Sequence, residues 1–412
     1  MIELQVKLDI ENIELLSQTA DNLGDIILKV NSTKQETKCK NCGQKATKKY
    51  GNAPEIKIRH LSILDTPTYI IIQPARYKCE HCDNVTTEEY DWCDQRSKTT
   101  KALDRYIARM LINSTISDVA KKVGIGYKTV VSSIDREVNK IVDWNQYEKL
   151  GTVGIDEISN KKRHQEYYTI ISSEIEGKLS VIAILPDRKK ETVKEFLESI
   201  PKHLKKTVTS VCTDMYDGFV NAAKEVFGEQ KIVIDRFHVA KLYREPLDKL
   251  RVQEMLRLKA KLAPEEYGKL EGMMWILRKK HELLTADDKR KLRKLYKYSP
   301  TLKQAHSYAL KLTHIFNSHG SRKSSLTKVN RWIAKIEKSN LKYFTKFIAT
   351  LQKYQFGILN YFKNRKTSGF VEGLNNKIKL IKRRCYGFFK VESFFQRLIL
   401  DLTGYDRFMS CN

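Results

Sequence analysis

The chain has 412 residues, 41% of them hydrophobic, which is enough for two or three domains with cores of their own. Lysine and arginine number 76 against 49 acidic residues, so the net charge is +27 and nucleic acid is the expected partner, with an anionic membrane as the rival. We find neither an apolar run of about 18 residues nor a signal peptide. We therefore expect no membrane partner and a cytoplasmic, nucleoid-associated protein with reduced thiols.

Five segments are predicted in chain order. Residues 1–95 read as a zinc-binding module of short strands, and residues 96–150 as a helical DNA-binding region. Residues 151–239 alternate apolar strands with helices, which is typical of a mixed sheet covered by helices. Residues 240–360 are almost wholly helical and basic, and residues 361–412 return to amphipathic helices. The strands predicted in the first and third segments cover residues 68–79, 152–158, 167–175, 179–186, 209–214 and 231–237.

Two CxxC pairs, CKNC (39–42) and CEHC (79–82), lie in the first segment. This spacing lets one tight turn supply two thiolates to a tetrahedral Zn²⁺, and the clustering in a reducing compartment favours metal over disulfides. The 36 residues between the pairs exceed the usual ribbon spacing, so either His81 or Cys93 remains open as a replacement ligand. The alternative is four unrelated thiols. The predicted ligands of a closed, structural zinc site are Cys39, Cys42, Cys79 and Cys82.

A helix-turn-helix is predicted over STISDVAKKVGIGYKTVVSSIDR (114–136). Ser117 and Asp118 are expected to cap the first helix, residues 124–126 to form the turn, and Tyr127 to begin the second helix. In such pairs the second helix enters the major groove of DNA. The alternative is an ordinary helical hairpin. The residues expected to face DNA are Tyr127, Lys128, Thr129 and Ser132.

Two aspartates follow apolar runs at predicted strand ends, Asp156 after TVGI and Asp214 after SVCT. If the strands are neighbours, the two carboxylates lie side by side and repel each other unless a cation separates them. Mg²⁺ prefers such hard oxygen ligands. The alternatives are that Asp156 is a turn residue and that Asp214 caps the helix beginning near Tyr216.

The stretch KNRKTSGFVEGLNNKIKLIKRR (363–384) holds eight basic residues and one acid, Glu372. On a helix, the apolar side chains fall on one stripe, and Glu372 falls on another face, without a basic partner four residues away. Glu372 is therefore predicted as the third metal ligand. The basic residues expected to grip phosphates are Lys377, Lys379, Arg383 and Arg384.

Four stretches resemble bacterial insertion-sequence DDE transposases of the ISL-three type: GIDE (154–157), TDMYDGF (213–219), IDRFHVAKLYREPLDKLR (234–251) and SGFVEGLNNKIKLIKRRCYGF (368–388). The resemblance implies a multidomain α+β protein. A small zinc-ribbon-like N-terminal module and a helix-turn-helix would precede an RNase H-like α/β catalytic domain. The helices of residues 240–360 would then be an all-helical insertion, and residues 361–412 would complete the core and carry the catalytic glutamate.

The resemblance also implies site roles and chemistry. Asp156, Asp214 and Glu372 match the catalytic acids, and Asp235 with His238 resembles a supporting Asp-x-x-His motif. Two Mg²⁺ or Mn²⁺ ions held by the three acids would promote cleavage at transposon ends and strand transfer into target DNA. Because two ends must be cut together, a homodimer is expected in the synaptic complex.

Two tryptophans in the helical segment, Trp275 and Trp332, are candidates for stacking on DNA bases, although such residues more often lie in a core. Two other functions remain open. A DNA-binding regulator derived from a transposase would keep the zinc module and the helix-turn-helix without catalysis. A structure-selective nuclease with an RNase H-like fold would cut DNA without joining it.

Overall fold

The computed structural model describes residues 8, 10–159, 166–339, 341–365, 369–386 and 390–409. The chain divides into two units, the first made of Met1–Ile141 with Leu380–Asn412 and the second of Val142–Lys379. The strands are β1 (Ile13–Ala20), β2 (Ile26–Ser32), β3 (Thr37–Lys38), β4 (Lys45–Ala46), β5 (Lys48–Asn52), β6 (Ile56–Ile63), β7 (Thr66–Ile72), β8 (Ala75–Lys78), β9 (Val85–Thr87), β10 (Gly151–Ser159), β11 (Tyr167–Ile175), β12 (Lys178–Leu185), β13 (Val208–Thr213) and β14 (Ile232–Ile234).

The helices follow the strands of the first unit and surround those of the second. They are α1 (Lys101–Leu111), α2 (Ile116–Val123), α3 (Tyr127–Glu137), α4 (Lys190–Ser199), α5 (Lys202–Thr207), α6 (Asp217–Phe227), α7 (Arg236–Lys261), α8 (Pro264–Gly268), α9 (Met273–Ile276), α10 (Ala286–Tyr298), α11 (Pro300–Asn317), α12 (Arg322–Glu337), α13 (Thr345–Lys353), α14 (Gln355–Asn364), α15 (Gly369–Arg384) and α16 (Val391–Phe408). None of the described helices combines the length and the apolar character needed to cross a bilayer.

The N-terminal strands form a four-stranded sheet in the order β1-β2-β7-β6 and two smaller sheets, β3-β4 and β5-β8-β9. Strands β6 and β7 make an antiparallel hairpin whose turn places Leu64 and Asp65 at positive φ. This hairpin occupies the long gap between the CxxC pairs. The single strand predicted over 68–79 is instead two strands, because Pro74 lacks the N–H that would continue the ladder.

The predicted helix-turn-helix is present as α2 and α3. Gly124 takes the left-handed conformation, with φ of 68°, that ends α2. The cap differs from the prediction, since Thr115 accepts the hydrogen bond from the Asp118 N–H at 3.1 Å and Ser117 lies inside the helix. Val119 and Val130 are fully buried against α1, so the pair is packed as one unit.

The last helix, α16, packs on α1 in this first unit. Arg397, which is buried, donates to the Leu111 carbonyl at 2.6 Å and so satisfies the C-terminal end of α1. A Cβ at Gly404 would lie 2.9 Å from Ile112, so glycine permits this close approach. The segment predicted as 361–412 is thus divided, with residues from Leu380 onward in the first unit. The division into five segments stays a prediction.

The second unit is built on a five-stranded sheet in the order β12-β11-β10-β13-β14. Strands β12, β11 and β10 pair antiparallel, and β10, β13 and β14 pair parallel. The predicted strands match these elements closely, except that the strand predicted over 231–237 ends at Ile234. Helix α7 begins two residues later because the Asp235 side chain accepts from the Phe237 N–H at 3.0 Å and caps it.

The helices from α7 to α14 share one continuous core with this sheet. Trp332 is buried in that core and meets Phe344 and Phe347 edge to face. Helix α14 lies against β14, where a Cβ at Gly357 would come within 2.7 Å of the Ile234 side chain. The segment predicted to be helical is therefore helical, and it is packed onto the end of the sheet that carries Ile234.

Candidate active site

Three aspartates directly follow the last parallel-paired residues of three neighbouring strands, although Asp156 itself lies inside β10, which continues to Ser159. Ile155 pairs with Thr213, and Thr213 pairs with Ile234, so the residues that follow them form a row along one edge of the sheet. The row consists of Asp156, Asp214 and Asp235. The sheet therefore brings together the two aspartates predicted as metal ligands and adds the predicted supporting aspartate beside them.

Asp156 is a largely buried carboxylate with few neutralising partners. Burial, followed by the charge of Asp214, raises its pKa from 3.8 to about 6. The Glu157 N–H donates to its Oδ1 at 2.8 Å, and Asn375 Nδ2 donates to its Oδ2 at 2.7 Å. A carboxylate held in this way binds a cation more favourably than one already paired with lysine or arginine.

Asp214, like Asp156, has a raised pKa. Burial raises its pKa, and Glu157 raises it further, whereas His238 and Arg188 oppose the shift. Its Oδ1 accepts from the Tyr216 N–H at 3.0 Å, just before α6 begins. The alternative that Asp214 caps α6 is wrong, because Tyr216 is the N-cap of that helix and no side chain caps it.

Asp235 and His238 form one hydrogen-bonded pair at the start of α7. His238 Nδ1 lies 3.1 Å from Asp235 Oδ2, and this contact raises the pKa of the imidazole. The charges of Asp214 and Asp156 raise it further, so the ring lies near both. A cationic His238 would partly offset the acidic row.

Glu372 lies on α15, exposed and three residues before Asn375. On a helix this spacing places the two side chains on one face, one turn apart. Within the described residues, however, the four cysteines are the only set of three or more potential ligands whose atoms all lie within 4.8 Å of one another. The structure thus brings Asp156 and Asp214 together without gathering Glu372 into a closed trio, and the assignment of Glu372 remains a prediction.

The predicted phosphate contacts fall into two groups. Lys377, Lys379 and Arg383 are exposed on α15. Arg384 is half-buried, and it forms an ion pair with Asp401 and donates to Asn113 Oδ1 at 3.1 Å. Its guanidinium is therefore already used inside the first unit. Of the stretch 368–388, Ser368, Gly387 and Phe388 lie outside the described residues.

The acidic row fits a hard divalent cation. The two predicted aspartate ligands offer only oxygen donors, which Mg²⁺ and Mn²⁺ prefer. The Asn375 Oδ1 atom is buried and has no hydrogen-bond partner among the described residues, so it is a further oxygen that lacks a positive partner. Two raised carboxyl pKa values and one unpaired amide oxygen are what a cation site would show before its ion is bound.

The second candidate metal site is a cluster of four cysteine side chains in the first unit. The four Sγ atoms lie within 4.8 Å of one another, with Cys39 to Cys82 at 3.6 Å and Cys42 to Cys79 at 3.5 Å. A tetrahedral Zn²⁺ with Zn–S bonds of about 2.3 Å places sulfurs about 3.8 Å apart, which matches this spacing. Backbone N–H groups of Cys42 and Asn41 lower the pKa of Cys39 to about 6, which favours the thiolate that zinc requires.

Each CxxC pair forms the tip of a small hairpin. The Cys39 N–H donates to Gln44 and the Cys79 N–H donates to Asn84, at 2.8 and 2.9 Å, so the two turns close in the same way. Cys93, left open as a ligand, instead lies in a separate core, donates to the Thr99 carbonyl and has its pKa raised to about 11 by burial. Among the described residues, the cluster that could hold a metal ion consists of the four paired cysteines, and neither Cys93 nor His81 belongs to it.

The recognition face of the helix-turn-helix is open to solvent. Tyr127 is 54% exposed, Lys128 and Ser132 are exposed, and Thr129 is partly exposed. Helix α3 is held in place from its opposite face, where Ser133 and Arg136 both donate to the buried Asp104 on α1. The sequence prediction missed this anchor, since nothing in the local pattern links residues 29 and 32 positions apart.

The two tryptophans considered for base stacking differ in solvent exposure. Trp332 is 3% exposed, and its Nε1–H donates to the Tyr308 carbonyl at 2.9 Å, so it belongs to the core. Trp275 on α9 is 64% exposed. Only Trp275 remains available for stacking on a base.

Sequence models of known families cover most of the chain. Residues 153–398 match the ISL3-family DDE model, which is described as a transposase. Residues 88–138 match a helix-turn-helix domain of transposase family ISL3, and residues 35–82 match a zinc-finger of transposases IS204/IS1001/IS1096/IS1165.

Curated relatives align over nearly the full length. The chain is 25% identical over 367 residues to the transposase for insertion sequence element IS1001 of Bordetella parapertussis, with 89% of each protein covered. It is 24% identical over 419 aligned positions to the transposase for insertion sequence element IS1557 of Mycobacterium tuberculosis, covering 96% of this chain and 93% of the relative.

Proposed function

The chain belongs to the ISL3 family of insertion-sequence transposases, and from that premise we propose that it binds the terminal inverted repeats of its element and catalyses Mg²⁺-dependent DNA cleavage and strand transfer. The observation that carries this proposal is the placement of Asp156 beside Asp214, each with a raised pKa, at the point where the parallel pairing of β10 with β13 ends. Such a pair is costly to maintain unless it serves a cation.

The metal assignment follows the donor set. Asp156, Asp214 and Glu372 would hold two Mg²⁺ or Mn²⁺ ions, with Glu372 joining the pair when the ions and DNA are present. When bound, the ions activate a water and stabilise the leaving 3′ oxygen, as in other two-metal phosphodiester chemistry. The protein supplies no covalent nucleophile in this scheme, and its part is to hold oxygen ligands along one edge of the sheet.

Asp235 and His238 would support the site. Asp235 ends the third strand of the row and caps α7, so it fixes both the strand end and the helix start. Its hydrogen bond holds His238 near the two catalytic aspartates. There the imidazole would balance negative charge or contact a DNA phosphate.

DNA would meet the protein at two kinds of surface. The face of α3 that includes Tyr127, Lys128, Thr129 and Ser132 would read the terminal repeat in the major groove. Exposed Lys377, Lys379 and Arg383 would hold phosphates near the acidic site.

A cleft in the second unit gives further support for DNA binding. It has a volume of about 1120 Å³ and begins beside Asp235. Its lining includes the basic side chains of Arg236, Lys241 and Arg244, with the exposed Phe237 ring among them. This mixture of positive charge and an aromatic face suits a DNA strand at the cleavage point, as does exposed Trp275 elsewhere in the helical segment.

Three further assignments complete the proposal. The mixed sheet, with its acidic row and packed helices, supports the RNase H-like fold that the family resemblance implies. Cutting two ends in concert requires two active sites, so the working form would be a homodimer on DNA. The protein would act on chromosomal DNA in the bacterial cytoplasm, at the nucleoid.

The decisive experiment compares alanine variants on DNA that carries the element's own ends. With Mg²⁺, the native protein should cut at the ends, and Asp156→Ala, Asp214→Ala and Glu372→Ala should each lower the rate at least 10³-fold, since each removes a metal ligand. Glu157→Gln is the matched control, because Glu157 is adjacent but already paired with Arg188 at 2.9 Å. All variants should keep wild-type binding to the repeats.

The same reactions separate the two other functions. If the native protein binds the repeats but never cuts them with Mg²⁺ or Mn²⁺, the regulator function replaces the proposal. Precut ends with free 3′-OH groups test the second step. Cutting without any joining of precut ends to target DNA would identify a nuclease instead.

A further inference from the structure

Asn375 has a defined orientation at the acidic site. It lies on α15, is 4% exposed, and its Nδ2 donates to Asp156 Oδ2 at 2.7 Å. An ionised carboxylate can only accept hydrogen bonds, so the amide nitrogen must face Asp156. The reversed amide would set Oδ1 against a carboxylate oxygen, which is repulsive.

That orientation leaves the amide oxygen without a partner. Asn375 Oδ1 is fully buried, and no donor reaches it from the described part of the chain. Leaving a buried carbonyl oxygen unpaired costs about 1–3 kcal/mol. Asparagine is also a poor residue for the middle of a helix, so neither packing nor helix formation accounts for it. The tether to Asp156 accounts for the nitrogen alone.

The neighbouring residue shows the difference. Asn376 is exposed on the same helix, where water satisfies its amide. Asn375 is buried between residues of the apolar stripe, Leu374 and Ile378, which are 6% and 0% exposed. The oxygen of a side chain in that setting needs a positive partner. The negative charges of Asp156 and Asp214 nearby also lack one, so a single cation could serve all three groups.

We propose that Asn375 Oδ1 is an oxygen ligand of the divalent ion held by Asp156, while its Nδ2 keeps that carboxylate in place. This inference rests on the proposed metal-dependent function and adds a ligand to it. Amide oxygens are ordinary ligands for hard divalent ions. A neutral ligand also adds coordination without adding negative charge, which matters where a DNA phosphate must approach.

The test measures metal binding directly, with Mn²⁺ titrated calorimetrically into full-length protein that keeps its zinc and carries no DNA. Asn375→Ala should weaken the Mn²⁺ Kd about 10- to 100-fold, which is the range for lost ligand support. Asn376→Ala, the matched control on the same helix, should keep the wild-type Kd. Asn375→Asp, which retains an oxygen at the same position but loses the Nδ2 donor to Asp156, should bind Mn²⁺ more tightly than Asn375→Ala.

Cleavage of end DNA supplies the second readout. The Mn²⁺ concentration for half-maximal cleavage should rise in Asn375→Ala and stay unchanged in Asn376→Ala. A wild-type Kd in Asn375→Ala, or an equal loss in Asn376→Ala, would overturn the inference. If Asn375→Ala does not fold, a wild-type Mn²⁺ Kd in Asn375→Leu, which keeps the side-chain shape and lacks the amide oxygen, would overturn it instead.

Failure of the proposed function gives a different pattern. In that case wild type and Asp156→Ala would bind Mn²⁺ alike, and neither would cut DNA. Failure of the Asn375 inference alone would leave wild type active and Asp156→Ala defective, with Asn375→Ala indistinguishable from wild type.

Discussion

Two aspartates, the fully buried Asp104 in the first unit and the partly buried Asp156 in the second, are treated in opposite ways by the fold. Asp104 is 1% exposed and accepts hydrogen bonds from Thr99, Ser133 and both ends of the Arg136 guanidinium, at 2.6 to 2.8 Å. Asp156 receives one backbone N–H and one amide, and its nearest charged neighbour in the row is another carboxylate. The first acid is compensated by protein groups, and the second is compensated much less.

The difference indicates which buried acids are structural and which are functional. A structural acid is surrounded by donors because an unpaired buried charge destabilises the fold. A functional acid keeps a raised pKa because its compensation arrives with the ligand.

Removal of zinc should have the largest effect. Structural zinc contributes about 10–16 kcal/mol in small domains, and Cys39, Ala46, Tyr77 and Cys79 form only a small core around it. We expect Cys79→Ser to lose zinc and to lose hydrogen-exchange protection across residues 35–87, while the β10–β14 sheet stays protected. Metal analysis and exchange mass spectrometry measure both. Cys93→Ser should keep one zinc per chain, and zinc loss there would contradict the four-cysteine assignment.

Asp104→Ala should be the next most damaging change. It leaves Arg136 largely without its buried partner, and breaking a buried pair from one side costs about 3–5 kcal/mol. Urea denaturation of the first unit should show this loss. Asp94→Ala is the control, since Asp94 touches the same arginine only at 4.0 Å and is partly exposed, so it should cost less than about 1 kcal/mol. Equal costs for the two variants would remove the distinction drawn from hydrogen bonding.

The ionised Asp156 carboxylate should destabilise the fold, whereas the Asp104 carboxylate stabilises it. The relevant protein is free of Mg²⁺ but keeps its zinc. The folded pKa of Asp156, about 6, lies above the ordinary aspartate value of 3.8, so the folded state holds the proton more tightly. This contribution to stability is present at low pH and is lost as pH rises from about 4 to about 6. The free energy of unfolding of wild type relative to Asp156→Asn should therefore fall by up to about 3 kcal/mol across that window. A flat difference between the two proteins would contradict the raised pKa.

Glu157 should give the smallest effect. It follows Asp156 directly, yet it pairs with Arg188, whose guanidinium also lies over the Tyr167 ring at 4.2 Å. Because this pair is partly exposed, Glu157→Gln should cost less than about 1 kcal/mol. Mn²⁺ should raise the melting temperature of Glu157→Gln as much as that of wild type, and not that of Asp156→Asn. Loss of the Mn²⁺ effect in Glu157→Gln would place Glu157 among the ligands.

The sequence predicted the features that depend on residues close together in the chain. Each CxxC pair is built by one turn, so the thiolates were identifiable without knowledge of the fold. The helix-turn-helix was likewise predicted because Gly124 and the apolar spacing are local signals, and the zinc module, the helix-turn-helix and the mixed α/β organisation are confirmed. The exact cap was wrong because Thr115 and Ser117 are chemically similar cap residues two positions apart.

Contacts between residues far apart in the chain were not predicted. Asn375 lies 219 positions from the Asp156 side chain that it contacts, and Arg397 lies 286 from the Leu111 carbonyl that it satisfies. Asn375 and Asn376 are adjacent and identical, so the sequence does not show which of them is buried. The apolar face of α16 likewise does not indicate which unit it packs against. Only the packed chain distinguishes these cases. Whether Glu372 completes the acidic site stays a prediction.

The packing of α16 on α1 has a consequence for synthesis of the protein. At about 5–20 residues per second, the 280 residues between Leu111 and Val391 take about 15 to 55 seconds to translate. During that interval the nascent chain already contains the helix-turn-helix, but the end of α1 that supports it is not yet covered. A chain truncated before residue 391 would therefore lack the helix that covers this end of α1, on which the helix-turn-helix packs.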